Sequence, residues 1–208
     1  LKSCGRKVSS SITLANIDSN RGLIMEVFER FVFHKGLLYP GAIKPDSKDL
    51  KNTKLLLHER DGFNINRIKK MSKLHPNSIW DPEHADYGAL LDSVMLGFTY
   101  VTIDGWISLS KLKISHALCK NAITKFRLNK SIEQIVERLE NLKDEIQRPI
   151  LIIGVNPGDI QELFEKIDSK LSKRYDWYVA PSVPNETISN SHIKISGWCK
   201  SKDSLMEK

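Results

Sequence analysis

The chain has 208 residues, 40% of them hydrophobic, which predicts one globular domain over residues 1–208 with a sizeable buried core. No apolar run approaches the roughly 18 residues of a membrane span, so the sequence predicts no transmembrane segment. The three cysteines are widely spaced and odd in number. They favour reduced thiols in a cytoplasmic protein over a disulfide framework or a zinc site.

The net charge of +7 is unevenly distributed along the chain. Residues 1–60 carry a net charge of +5 and residues 61–130 one of +4, whereas residues 131–208 carry −2. No acidic residue lies between Asp104 and Glu133. This local excess of cations predicts a polyanionic partner such as nucleic acid, with solubility alone as the alternative explanation.

The first third of the chain predicts an arm followed by a helix, a strand and a basic segment. Residues 1–20 are expected to form an arm or loop, and residues 21 to about 200 the α/β core. Apolar residues at helical spacing predict a helix over 21–34. Residues 54–58 read as a short strand, and residues 64–74 as a basic helix or loop.

The remaining two thirds predict alternating helices and strands. A helix over 87–98 leads into a buried strand over 100–109, and further helices are expected at 111–129, 131–147 and 160–171. A continuous apolar run predicts a buried strand at 150–155, and late strands are expected at 177–179 and 193–198. This alternation favours an α/β or α+β fold around a mixed central sheet flanked by helices.

Carboxylates cluster just before the helix at 87–98. Asp81 and Glu83 lie two positions apart, so they share a face if this segment is extended. An upstream partner would come from Asp46, Glu59 or Asp61. Carboxylates from separate segments are typical magnesium ligands, and magnesium assists phosphodiester hydrolysis by activating water. Solvated loop acids, or acids that cap the helix, are the alternative.

Four pieces follow one another along the chain: Asp81-Pro82-Glu83, Leu96-Gly97, the strand from Ile103 to Leu109, and residues 149–154. Their order resembles the second half of the BamHI- and BglII-type restriction endonucleases. This resemblance implies a PD-(D/E)xK, restriction-endonuclease-like core. It also implies that Asp61 and Asp81 bind Mg²⁺ and that Glu83 occupies the usual lysine position and assists the attacking water.

We therefore expect a magnesium-dependent double-stranded DNA endonuclease, with Asp61, Asp81 and Glu83 as catalytic residues. A homodimer is expected, because two copies related by a two-fold axis cut both strands of a symmetric duplex most simply. Seven basic residues are expected to contact DNA: Arg67, Lys69, Lys70, Lys73, Lys111, Lys113 and Arg127.

Two alternatives remain open at this level. Residues 104–123 also read as a helix-turn-helix or winged-helix element, which would make the chain a non-catalytic DNA- or RNA-binding protein. The segment from Gly154 to Gly158 is similar to the Gly-x-Asn-Pro-Gly loop of mismatch-specific uracil-DNA glycosylases. The sequence contains no zinc-ligand spacing, Walker loop, dinucleotide fingerprint or nucleophile elbow.

Overall fold

The computed structural model describes residues 25–61, 64–82, 90, 92, 95, 97–98, 100–142, 144–146, 149–154, 156–181 and 193–201. Within these residues the chain forms nine strands. Their bounds are Glu26–His34 (β1), Leu37–Tyr39 (β2), Leu55–Glu59 (β3), Ile79–Pro82 (β4), Tyr100–Asp104 (β5), Ala122–Arg127 (β6), Pro149–Gly154 (β7), Asp176–Pro181 (β8) and Ile195–Ser201 (β9).

Eight of these strands close into a parallel barrel. The strand order is β1-β3-β4-β5-β6-β7-β8-β9, each neighbour is parallel, and β9 returns to pair with β1. Closure leaves no open edge within the parallel sheet. With helices in the connections between strands, this is a TIM-like (β/α)₈ barrel.

The short strand β2 extends the barrel wall at one rim. It runs antiparallel to residues 32–34 of β1, whereas β9 pairs with residues 26–30. Because β3 occupies the other edge of β1 along both stretches, β2 continues the edge that β9 has left. The wall beside the end of β1 is therefore a hairpin.

Helices lie in the connections between the barrel strands. Their bounds are Ile65–Leu74 (α1), Leu109–Leu118 (α2), Ile132–Leu142 (α3), Pro157–Lys166 (α4) and Ser169–Arg174 (α5). A 3₁₀ turn lies at Lys48–Leu50. Leu90, Asp92 and Met95, between β4 and β5, are also helical. Side-chain caps define several starts: Asn64 accepts the N–H of Arg67, and Ser108 accepts that of Lys111.

Alternate residues of each strand separate two hydrophobic clusters. One cluster packs between the strands and the helices, and contains Phe31, Phe33, Trp80, Phe126 and Trp177. The other contains residues that alternate with these, which therefore line the barrel interior. Its members are Phe28, Leu56, Ile79, Ile123, Leu151, Ile153, Tyr178, Ala180 and Cys199.

The aromatic ring of Tyr178 fills the interior beside a strand position that has no side chain. A Cβ at Gly197 would lie 2.1 Å from Cδ1 of Tyr178, so only glycine leaves room for this ring. The Tyr178 hydroxyl donates to Glu26 at 3.2 Å and contacts the Tyr100 hydroxyl at 3.4 Å. Because Glu26 and Tyr100 begin their strands, the ring lies toward the amino end of the barrel.

The predicted restriction-endonuclease-like core with a mixed sheet is wrong, because the sheet is a closed parallel barrel. Two helix predictions are also wrong: residues 26–34 form β1, and residues 122–127 form β6. The segment 104–123 contains one helix between two strands and no helix-turn-helix. Strand predictions at 54–58, 150–155, 177–179 and 193–198 are confirmed to within a few residues, and residues 64–74, predicted as a basic helix or loop, are helical from Ile65 to Leu74.

The described residues include no helix that is both long and apolar enough to cross a bilayer. Cys119 and Cys199 are buried free thiols. Burial raises the pKa of the Cys199 thiol to about 12. These two cysteines therefore act as small apolar side chains. Cys4 lies outside the described residues.

Candidate active site

Polar side chains replace the apolar interior toward the carboxyl ends of the barrel strands. His58 is the fourth of the five residues of β3, Asp81 the third of four in β4, and Lys125 the fourth of six in β6. In parallel barrels the carboxyl ends of all strands meet at one face, where active sites are built. His58 is paired with Asp81, and Lys125 is paired with Asp104 of β5. Paired residues of neighbouring strands face the same side of the sheet, so these side chains all face the barrel interior.

Asp81 is the centre of this group and is 1% exposed. Its Oδ1 accepts a hydrogen bond from the Thr102 hydroxyl at 2.5 Å and another from the Lys125 ammonium. Its Oδ2 lies 2.9 Å from Nδ1 of His58 and 3.6 Å from Nη2 of Arg127. The carboxylate itself lies on β4, and its partners come from the three strands β3, β5 and β6.

The charge of Asp81 is fixed by its neighbours. Burial alone would raise the pKa of its carboxyl, but Lys125, His58 and Arg127 outweigh burial and hold that pKa well below its usual range. Asp81 is therefore a carboxylate throughout the physiological pH range. Its role is to hold and orient cations and donors, because a group of this acidity does not exchange protons near neutrality.

The carboxylate also decides the tautomer of His58. Since Asp81 only accepts hydrogen bonds, the bonded Nδ1 of His58 carries a proton, and in the neutral imidazole Nε2 is left as the basic atom. No described residue forms a hydrogen bond with Nε2. His58 is 8% exposed and Arg127 lies 3.3 Å from its Nδ1. This Asp–His arrangement prepares Nε2 for proton transfer.

Among the residues that the structure describes, cations outnumber carboxylates in this buried group. Within the described part of the chain, Lys125 and Arg127 both face one carboxylate, Asp81. Arg30, 2% exposed on the interior side of β1, adds another cation. Asp104 at the rim is exposed and accepts the N–H of Trp106. An anion entering from the carboxyl end would meet these cations in a setting of reduced dielectric.

A second polar network lies at the same rim, between β1, β3 and α1. Asp61 Oδ1 lies 2.5 Å from Nδ1 of His34, and its Oδ2 accepts the Lys35 N–H at 2.6 Å. Arg67 Nη1 bridges Asp61 Oδ2 at 2.9 Å and Glu59 Oε1 at 2.8 Å. These contacts hold the pKa of Asp61 below its usual value in spite of burial, whereas burial raises the pKa of Glu59 to about 7 despite the contact with Arg67.

The structure separates the predicted metal ligands into these two networks. Asp81 and Asp61 share no hydrogen-bonding partner among the described residues, and Glu83 lies outside those residues. Within the described part of the chain, no three His, Cys, Asp or Glu side chains are grouped to hold a metal ion. The predicted Mg²⁺ site therefore remains a prediction.

The predicted DNA-contacting residues occupy different surfaces. Lys69, Lys70 and Lys73 are exposed on α1, and Lys111 and Lys113 are exposed on α2. Lys113 pairs with Glu145 at 2.6 Å. Arg67 belongs to the rim network, and Arg127 faces the barrel interior. The set is therefore divided between outer helices and the barrel.

Sequence reasoning overlooked His58, Thr102, Lys125 and His34 as site residues. The first three and Asp81 are spaced along the chain by one strand–helix unit: His58 precedes Asp81 by 23 positions, and Thr102 follows it by 21. Lys125 follows Asp81 by 44 positions, or two such units. This regular spacing of polar residues near strand ends is the signal that identifies the site.

A separate cavity of about 310 Å³ lies outside the barrel, beside the loop after β6 and the start of α4. Lys130 and the acids Glu133, Asp159 and Glu162 are among its lining residues. Lys166 pairs with Glu133 and with Glu162, the latter at 3.1 Å. These are surface ion pairs, and the buried chemistry lies in the barrel.

In comparisons with known proteins, the chain matches no protein-family model and no curated sequence.

Proposed function

We propose that the chain is an enzyme that catalyses proton transfer on a small organic anion, a carboxylate or a phosphate ester, at the carboxyl end of the barrel. The observation that carries this proposal is the buried contact of Asp81 with both Lys125 and His58. Maintaining such a polar group in the interior costs desolvation free energy, and buried groups of this kind concentrate at functional sites.

The cations define the substrate class. Arg127 is the last residue of β6 and its side chain is 31% exposed, so its guanidinium faces the route from solvent. A planar guanidinium binds carboxylate or phosphate oxygens through two parallel hydrogen bonds. Because side chains fill the interior of an eight-stranded barrel, the ligand must be small and lie near the mouth.

Each residue then has a defined role. His58 transfers the proton through Nε2, and Asp81 positions the imidazole through Nδ1. The Lys125 ammonium stabilises negative charge that develops on a substrate oxygen when the proton leaves. Thr102 fixes the Asp81 carboxylate at 2.5 Å. Proton transfer by a positioned histidine typically contributes about 10² to 10⁴ in rate.

Deuterium incorporation tests the reaction even while its product is unidentified. The protein is incubated in D₂O with a panel of small carboxylates and phosphate esters, and loss of substrate C–H signals is followed by ¹H NMR. We expect exchange in at least one compound and a drop of about 10² or more for His58→Ala. Exchange that is unchanged in His58→Ala would contradict the proposal.

Anion binding supplies a second test. We expect Arg127→Gln to weaken the binding of inorganic phosphate by roughly tenfold or more, because one charge-assisted hydrogen bond is worth about 1.5–3 kcal/mol. Lys113→Gln is the matched control, since this cation lies on the outer surface of α2. Equal losses in both variants would show that the barrel cations do not form the anion site.

The magnesium-dependent DNA endonuclease, acting as a homodimer, remains a second proposal. The exposed lysines of α1 support it, because clustered surface cations favour contact with phosphates. The contacts of Asp81 count against it, since both oxygens already meet donors or cations. Incubation of supercoiled plasmid with Mg²⁺ and with EDTA tests this function, and intact plasmid in both would reject it. A cytoplasmic location likewise remains a prediction.

A further inference from the structure

His34 and Asp61 form a second Asp–His pair next to the proposed active site. The two residues lie close together because β1 and β3 are adjacent parallel strands that end at the same rim of the barrel. The Nδ1 of His34 lies 2.5 Å from Oδ1 of Asp61. Asp61 is itself held by the Lys35 N–H and by Arg67. Its lowered pKa keeps it a carboxylate at neutral pH.

Side-chain alternation places His34 on the interior side of β1. Phe33, the preceding residue, packs in the cluster between the strands and the helices. Successive residues of a strand point to opposite faces, so His34 faces the mouth of the barrel. Its side chain is 36% exposed. As with His58, the acceptor at Nδ1 leaves Nε2 as the available atom, and no described residue bonds to it.

The strand register gives the separation of the two histidines. Val32 of β1 is paired with His58 of β3, and His34 lies two residues further along. With a rise of about 3.3 Å per residue and a spacing of about 4.8 Å between strands, the two Cα atoms are about 8 Å apart. A molecule of a few heavy atoms can contact both imidazoles from one position at the mouth.

Resting on the proposed function, we propose that His34, positioned by Asp61, is the second proton-transferring residue of the same active site. In one turnover His58 Nε2 removes a proton from the substrate, and protonated His34 delivers a proton from its Nε2 to another substrate atom. The substrate keeps its atoms and its charge. His58 then releases its proton to water and His34 regains one, so no oxidant, metal or co-reactant is consumed.

The arrangement implies isomerisation of an anionic substrate, because a reaction that removes and adds one proton at different atoms conserves composition. Arg67 helps to hold Asp61 in the position that orients His34. It bridges Asp61 to the buried Glu59 and lies over the Phe33 ring at 5.5 Å, so the carboxylate that orients His34 is braced from two sides. Asp61 is thus a positioning residue for His34.

Histidine NMR tests the shared ligand. Cε1–H resonances are followed while the protein is titrated with inorganic phosphate, with glycerol 3-phosphate and with succinate. We expect phosphate to shift His58, and the longer probe that the site accepts to shift His58 and His34 with one common saturation curve. The arms with glycerol 3-phosphate and succinate distinguish a phosphate ester from a dicarboxylate. His75 and His116, both buried, report that the fold is unchanged.

The possible outcomes separate the two proposals. A probe that shifts His58 but never His34 overturns the second-residue inference and leaves the proposed function standing. Failure of every probe to shift either histidine overturns the anion site itself, and the inference with it. In Asp61→Asn we expect the ¹⁵N resonances of His34 to report a changed tautomer while those of His116 stay constant; an unchanged His34 tautomer contradicts the positioning role.

Turnover supplies the last arm, on the substrate found by deuterium exchange. We expect His34→Gln to reduce net isomerisation by about 10² or more while exchange of the proton taken by His58 persists. Lys35→Gln is the matched control, because only its backbone N–H is used by Asp61. Equal isomerisation rates for His34→Gln and Lys35→Gln would overturn the inference, whereas loss of exchange in His58→Ala alone would still support the proposed function.

Discussion

The ion pair between Asp81 and Lys125 can be tested as a double-mutant cycle. Both residues are almost fully buried, with 1% and 6% exposure. Asp81→Asn removes the carboxylate that Lys125 and Arg127 face, and breaking a buried pair such as Asp81–Lys125 costs about 3–5 kcal/mol. Lys125→Met is expected to cost less, because His58 and Arg127 still face Asp81.

The double variant should be more stable than the sum of its parts. Once both charges are absent, neither is stranded, so we expect a coupling free energy of about 2 kcal/mol or more. Urea denaturation at pH 7 measures the free energy of unfolding of the four proteins. The surface pair Lys113–Glu145 is the control, with an expected coupling below about 1 kcal/mol. Additivity within about 0.5 kcal/mol for Asp81 and Lys125 would refute the reasoning.

Three further predictions concern stability. Because burial raises the pKa of Glu59 to about 7, its contribution is complete below pH 4.5 and is lost as the pH rises through 7. Urea denaturation at pH 5 and 8.5 should show that the free energy of unfolding of the unmodified protein falls by up to about 3 kcal/mol between the two pH values, and that this fall is absent in Glu59→Gln. The same fall in both proteins would contradict this. Burial lowers the pKa of His116 to about 4, so its contribution is complete above pH 6.5 and is lost as the pH falls through 4. His116→Gln should flatten the loss on acidification, which a series of denaturation curves from pH 7 to 4.5 measures. Gly197→Ala should lower the melting temperature, at a cost of about 1–3 kcal/mol, because its Cβ meets the Tyr178 ring; Gly158→Ala, with open space around it, is the control, and equal effects would contradict the packing argument.

The local elements that sequence patterns predicted correctly are those with one clear period. The continuous apolar run at 150–155 indicated a buried strand, whereas the basic segment at 64–74 fitted a helix or a loop and proved to be helical. The helix prediction over residues 26–34 failed because a barrel strand is buried on both sides. Its apolar residues therefore occupy positions that also match the apolar stripe of a helix. The same ambiguity hid β6, in which Ala122, Thr124 and Phe126 face the helices and Lys125 and Arg127 face the axis.

The helix prediction at 111–129 also explains why Lys125 was missing from the predicted site. If residues 111–129 form one helix, Lys125 is a surface charge. With fewer than eight strands recognised, no closed parallel barrel can be inferred, and nothing places residues 58, 81, 102 and 125 around one axis. The sequence pointed to Asp81 as a candidate site residue, but the partners of Asp81 depend on register between strands that are far apart in the chain. Pattern and propensity do not carry that register.

The position of the Tyr178 ring beside Gly197 has a consequence for how ligands enter and leave the barrel. In the described part of the barrel the Tyr178 ring blocks the amino end. A ligand that enters at the carboxyl end beside Arg127 would therefore also leave there. Incoming and outgoing molecules then compete for one passage, whose wall includes the hairpin of β1 and β2. Release of the product through this single opening, rather than proton transfer, would then limit turnover whenever release is the slower step.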